Sequence, residues 1–172
     1  MTSVHETPSE PRQVHVPGTE SLLPPRTKCT PPLKWVGSKR WLVPTLAPSI
    51  YERLAVTRGR YVEPFMGGGA IALDLGLPGM ILGDSCKPLI AMYQTIRKSA
   101  QAVAWALKTL AERGTDKDSY LAVRATEPAS VVFAAARLLY LNKFGFNGLY
   151  RENSQGKFNV PHGGDRSSTS LP

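Results

Sequence analysis

Three consecutive glycines, Gly67-Gly68-Gly69, stand between an extended apolar run ending in Glu63-Pro64 and a helical run that begins at Ala70. A glycine turn of this kind removes Cβ atoms where a ligand must lie against the backbone, and it points free N–H groups at that ligand. Asp84 closes the next apolar run, where a strand-end carboxylate sits beside the glycine loop and can accept hydrogen bonds from both hydroxyls of an adenosine ribose. That geometry serves NAD and S-adenosylmethionine alike, and Gly67-x-Gly69-x-x-Ala72 also satisfies the looser dinucleotide fingerprint. Tight packing alone is a further explanation of such a turn. Glu63-Pro64 favours S-adenosylmethionine, because a carboxylate there repels a pyrophosphate and suits a cationic sulfonium with an amino-acid tail. The plain alternative for Glu63 is a surface carboxylate.

These residues need elements that hold them. Residues 60–64 read as a short strand ending at proline, and residues 70–75 as a helix stopped by Gly76 and Pro78-Gly79. Residues 80–84 read as a second buried strand, and Pro88 sits in the first turn of a helix running to about residue 98. The order strand, glycine loop, helix, strand, helix begins a parallel, Rossmann-like α/β sheet. Upstream, the spacing of Trp35, Trp41, Leu42, Val43, Leu46, Ile50 and Leu54 predicts a bent helical segment broken at Pro44 and Pro48, after a loop over 34–38. Downstream, helices are expected over about 100–113, over 119–125, and from Pro128 through 140. Two extended runs, 149–152 and 157–160, are joined by Asn153-Ser154-Gln155-Gly156, the composition of a hairpin turn.

With 172 residues the chain is one ordinary domain at most. Seven of the 15 prolines fall within residues 1–32 among few large apolar side chains, so this stretch is expected to be a disordered leader. The net charge is +8, and its distribution is more informative than its size. Residues 33–60 hold six basic and one acidic side chain, residues 61–84 hold three acidic and no basic ones, and residues 85–172 hold 12 basic against 6 acidic. Two basic flanks around an acidic, glycine-rich centre fit a polyanion-binding rim around a small-molecule pocket, and a solvated basic surface gives the same totals. No window approaches the roughly 18 uninterrupted apolar residues of a membrane-spanning helix. Cys29 and Cys86 are isolated thiols without CxxC spacing or a His cluster, which points to no metal site and to a reducing, cytosol-like compartment.

Four motifs extend the local reading. Lys34-Trp35-Val36-Gly37-Ser38-Lys39, Glu63-Pro64-Phe65-Met66-Gly67-Gly68-Gly69, Gly83-Asp84, and Leu141-Asn142-Lys143-Phe144-Gly145-Phe146-Asn147-Gly148-Leu149-Tyr150-Arg151 followed by Gly156-Lys157-Phe158-Asn159-Val160-Pro161-His162-Gly163 occur in this order. Together they resemble the Dam-type (D12 class) adenine-specific DNA methyltransferases over about 33–163. The resemblance implies an incomplete Rossmann-like S-adenosylmethionine-dependent methyltransferase fold with a helical target-recognition insertion and a β-hairpin. It implies a cofactor-binding part over 33–98, the DNA-recognition insertion and hairpin over 99–163, and an aberrant tail over 164–172. S-adenosylmethionine would be contacted by Trp35 and Lys39, its amino-acid end cradled by Glu63, Pro64, Gly67, Gly68 and Gly69, and its ribose held by Asp84. Double-stranded DNA would meet Arg151 and Lys157 through phosphates or guanine edges, Asn147 through a base amide pattern, and Phe146 or Tyr150 through a stacking wedge.

The implied activity is methyl transfer to the N6 amino group of adenine, in a bacterial or phage-like cytoplasm. The family's catalytic Asp-Pro-Pro-Tyr, which holds the hydrogens of a poorly nucleophilic amino group while an aromatic ring stacks on the extruded base, does not occur in these 172 residues. No catalytic residue is therefore assigned, and the chain is expected to be truncated, inactive alone, and served by a separate C-terminal fragment. Two rival readings are a catalytically dead cofactor- or DNA-binding module and a dinucleotide-dependent oxidoreductase fragment. The second has no use for a Phe-Asn-Gly-Leu-Tyr-Arg hairpin.

Overall fold

The computed structural model describes Leu23 and residues 26–164. Most of the expected leader and nearly all of the expected tail thus lie outside the described residues. Residues 26–30 run beside the first glycine-flanked helix: Thr27 N–H donates to Gly76 O (3.1 Å) and Cys29 N–H to Leu73 O (2.9 Å). Lys28 pairs with Asp74 at 3.5 Å, and the Arg26 guanidinium lies 4.4 Å from the centre of the Tyr51 ring.

Helix α1 covers Val43–Thr57 and follows a 3-10 turn at Lys39–Leu42. Pro44 occupies its first turn, where a missing N–H costs nothing, and Pro48 lies inside it. The bent segment expected from the sequence is therefore one continuous helix, because its apolar face is buried past both prolines. Ala47 and Leu54 pack with Ile71, Leu75 and Leu77 in the smaller of two core clusters.

Strands β1 (Val62–Glu63) and β2 (Ile81–Leu82) pair in parallel, Val62 opposite Ile81 and Glu63 opposite Leu82. Both are shorter than the expected runs of 60–64 and 80–84. Backbone bonding does continue at each end, from Ile81 N–H to Tyr61 O (3.0 Å) and from Met66 N–H to Gly83 O (2.9 Å). Helix α2 (Ala70–Leu75) connects the strands, flanked by Gly69 and Gly76 in left-handed conformation. Gly76 is obligatory for a second reason: a Cβ there would lie 2.2 Å from Thr27 O.

The two expected helices run end to end over Lys87–Glu112, taken together here as α3, and meet at a kink. The expected break falls at Ser99 (φ −153°, ψ 56°), whose non-helical backbone kinks the chain without a glycine or proline. The buried stripe Leu89, Met92, Thr95, Val103, Ala106, Leu107, Leu110 continues across it. Helix α4 (Lys117–Ala125) is capped by Asp116, which accepts from the N–H groups of Asp118 and Ser119. Helix α5 (Val131–Phe144) starts at the Ser130 cap rather than at Pro128. Its consecutive residues Leu138, Leu139, Tyr140 and Leu141 are all buried, and α5 packs chiefly along α3 in the larger cluster with Leu33.

The expected hairpin exists as an arm held by single antiparallel bridges, Glu152 to Phe158 and Gly145 to His162, rather than by two strands. Asn153 closes its turn by accepting from the N–H groups of Gln155 and Lys157, 3.0 Å each. The arm's far end is fastened at Val160 O, which accepts from Tyr120 Oη and Arg124 Nη1 at 3.0 Å each.

Candidate cofactor and DNA site

The first motif, the glycine loop and the strand-end acid meet at the carboxyl ends of β1 and β2. Gly67 (φ 54°) donates its N–H to Asp84 Oδ2 at 2.8 Å, and Cys86 N–H donates to Asp84 Oδ1 at 2.9 Å. Asp84 thereby fastens the glycine loop to the start of α3. Each oxygen keeps a lone pair for a further donor. Gly69 N–H donates to Met66 O (2.9 Å), so two of the three loop N–H groups are engaged within the protein. The sequence expectation of a cradle of free N–H groups is corrected accordingly.

What the glycines make room for is partly the protein itself. A Cβ at Gly67 would lie 3.1 Å from Trp35 Cδ1, and one at Gly68 would lie 3.0 Å from Trp35 Cβ. Trp35 is thus packed directly on the loop. Tyr93 Oη donates to Gly68 O at 2.7 Å, and burial pushes its pKa up to about 12, which keeps it a donor.

Glu63 ends β1 and is only 6% exposed. Lys39 Nζ lies 3.0 Å from its Oε1 and also donates to Phe65 O, yet neither Glu63 oxygen receives a well-directed hydrogen bond. The Lys39 ammonium offsets part of the cost of burying this charge, and the carboxylate keeps acceptor capacity for a further donor or cation. Burial first, and then the neighbouring Glu63 carboxylate, raise the Tyr61 hydroxyl pKa. Pro64 directs the chain out of β1, its carbonyl and Cα lying against Gly83.

A cleft of about 430 Å³ opens beside this cluster, lined by Trp35, Ser85, Cys86, Pro88, Tyr150 and Glu152 among others. Trp35 and Tyr150 stack with ring centres 5.7 Å apart and planes 28° apart, and Phe158 meets Tyr150 edge-on at 5.7 Å. Tyr150 donates to Glu152, and burial followed by that bond raises its pKa. Tyr150 therefore lines this cleft, and it also lines a groove of the arm together with Lys157 and Phe158.

The other residues expected to face DNA are not gathered at one place: Phe146 and Asn147 line a pocket with Lys34 and Lys143, and Lys157 lines another with Tyr150. Phe146 is 47% exposed, on the 3-10 turn Phe146–Gly148, and Asn147 beside it is exposed in left-handed conformation (φ 54°). Arg151 is exposed and held along the arm by Asn159, its Nε 2.7 Å from Oδ1 and its Nη2 3.1 Å from the carbonyl. Lys157 is exposed beyond the arm's turn.

Asn142 carries a role that motif reading left unassigned. It is 3% exposed, and its amide joins Lys34, beside Trp35, to Gly148, beside Asn147. An asparagine amid the buried leucines and aromatics of α5 was the available signal. Among the described residues no group of three or more His, Cys, Asp or Glu could hold a metal ion.

The D12 class N6 adenine-specific DNA methyltransferase family matches residues 35–169. The Type II methyltransferase M1.LlaDCHI of Lactococcus lactis subsp. cremoris is 34% identical over 136 residues, which are 76% of this chain and 46% of that protein. A DNA adenine methylase of Haemophilus influenzae is 35% identical over 150 residues, 82% of this chain and 49% of that one. A DNA N-6-adenine-methyltransferase of Escherichia phage P1 is 33% identical over 133 residues, 76% of this chain and 17% of that one. The chain spans about half the length, or less, of these curated relatives. With its motifs gathered as described and most of its length matched, the chain belongs to the D12 class N6 adenine-specific DNA methyltransferases.

Proposed function

We propose that this chain forms the cofactor-holding and DNA-facing part of an enzyme that moves a methyl group from S-adenosylmethionine to N6 of adenine in duplex DNA. The observation that carries the reading is the buried Glu63 carboxylate, without a well-directed hydrogen bond and 3.0 Å from Lys39 Nζ, on the strand that feeds the glycine loop. A carboxylate beside an ammonium complements an amino-acid tail: Glu63 would take the tail's ammonium and Lys39 its carboxylate. Asp84 retains lone pairs for ribose hydroxyls while its two existing bonds hold the loop in place. Trp35 offers a ring face to the adenosine end, and Tyr150 continues that surface. When bound, S-adenosylmethionine supplies a methyl group on a positively charged sulfur, which is the electrophile.

Phe146 and Asn147 stand where a wedge and a base contact are wanted, and Arg151 and Lys157 give the arm its positive charge for phosphates. The finer architecture belongs to the same proposal: a Rossmann-like cofactor part over 33–98 and a DNA-recognition part over 99–163, divided at the Ser99 distortion. Such an enzyme works in the cytoplasm, where its DNA is. The amino group of adenine is activated by an Asp-Pro-Pro-Tyr supplied from outside these 172 residues. A melting experiment tests the cofactor reading, because a ligand that binds only the folded chain raises its melting temperature. A rise with S-adenosylmethionine and none with NAD is expected. A rise with NAD alone would return the dinucleotide reading.

A further inference from the structure

Asn142 uses its side-chain amide as a clasp between two segments far apart in sequence. Oδ1 accepts from Lys34 N–H at 2.9 Å, and Nδ2 donates to Lys34 O at 2.7 Å and to Gly148 O at 2.8 Å. Both donors and one acceptor position are satisfied by backbone, so the amide has one orientation. The clasp closes tightly: Gly148 has φ +63°, and a Cβ on it would lie 2.6 Å from Lys34 Cβ. One residue beyond Lys34, Trp35 packs on Gly67 and Gly68, and one residue before Gly148 stands the exposed Asn147. The Trp35–Tyr150 stack joins the same two segments a second time. The path from the glycine loop to the DNA-side turn is thus Gly67, Trp35, Lys34, Asn142, Gly148, with packing, hydrogen bonding or a peptide link at every step.

We infer that Asn142 is a positioning residue that couples cofactor binding to DNA binding by holding the Lys34–Trp35 loop and the Phe146–Gly148 turn as one unit. Resting on the cofactor and DNA assignments above, the inference has a simple physical content. Ordering either segment with its ligand orders the other in advance, so the second ligand meets less conformational entropy to lose. Binding energies coupled in this way are reciprocal.

The experiment uses S-adenosylhomocysteine, which cannot transfer a methyl group, and a short mixed-sequence DNA duplex. Calorimetry on the full chain should find S-adenosylhomocysteine bound at least about 5-fold more tightly when the duplex is present, the lower end of ordinary coupling. In Asn142→Ala and Gly148→Ala, which open the clasp from opposite sides, that ratio should fall to about 1. A residue that served folding alone would weaken both ligands and leave the ratio unchanged. Amide exchange on the unaltered chain needs no variant to fold: S-adenosylhomocysteine alone should slow exchange at Gly148 and Leu149. The coupling is overturned if both ligands bind independently, if folded variants keep the ratio, or if exchange at those two amides does not change. If neither ligand binds, the proposed function falls first and the coupling falls with it.

Discussion

Each oxygen of Asp84 already accepts a backbone N–H, so its removal disturbs the glycine loop as well as any ligand contact. Asp84→Ala is expected to weaken S-adenosylmethionine binding by about 1.5–3 kcal/mol, the range for a hydrogen bond to a charged group. Asp84→Asn retains one acceptor oxygen and should lose less. Calorimetry on folded variants reads both, and unchanged affinity would remove Asp84 from the ribose. At the Asp116 cap the measurable quantity is pH dependence. The Ser119 hydroxyl, and then the Ser119 N–H, hold its pKa down to about 2 from an ordinary 3.8. A carboxylate depressed in the folded state stabilises that state above its unfolded pKa and loses this contribution as pH falls through the folded one. Asp116→Asn should therefore melt below the parent at neutral pH and converge on it near pH 2. A constant difference across that range would contradict the assignment. The glycine triplet and Asp84 were legible in the sequence because both are spelled locally. The Lys39–Glu63 contact, the seat of Trp35 on the glycines and the Asn142 clasp join residues 24 to 108 positions apart, and no local pattern encodes them.

Among the elements, the arm between α5 and His162 has the most direct test. Its strand pairing is reduced to single bridges, and side chains supply the rest: Asn153 closes the turn and Arg151 is braced on Asn159. Substituting Lys157 by Ala should lower duplex affinity and flatten the salt dependence by a slope of about 0.9 in log K against log salt. Arg151→Ala should do the same and also loosen the arm, because it removes the brace. Titrations at several salt concentrations decide, and slopes equal to the parent's would take both residues off the phosphates. The turn was readable from Asn153-Ser154-Gln155-Gly156. That the pairing of the flanking runs would be confined to the backbone bonds around Glu152 and Phe158 was not, since the Val160 carbonyl is instead held by Tyr120 and Arg124 of α4. Likewise, the helix starts at 70 and 87 follow from a glycine and a proline, whereas the shared burial of both halves of α3 against α5 depends on contacts distant in sequence.

At the scale of the molecule, the parallel pair β1–β2 leaves Val62 and Ile81 exposed, although parallel sheets are ordinarily covered on both faces. The residues proposed for cofactor and DNA are present in these 172 residues and the Asp-Pro-Pro-Tyr is not. Labelled methyl transfer to duplex DNA by this polypeptide alone is therefore expected to stay at background. Transfer restored by adding a polypeptide that carries the tetrapeptide would support the division of labour, and robust transfer by the chain alone would refute it. One further consequence lies in α3, which contributes Leu89 and Met92 before Ser99 and Val103 to Leu110 after it to the same core. One residue added to an α-helix advances everything beyond it by about 1.5 Å and turns it by about 100°. A single-codon insertion between Val103 and Ala106, inside the unbroken segment after the kink, would turn Ala106, Leu107 and Leu110 off the core they share with α5. The same insertion at 113–116 or 126–130, between helices, would be absorbed locally. Length variation that this fold survives is thus confined to its connections and to the Ser99 kink, and the unbroken helical segments on either side of that kink act as fixed rulers.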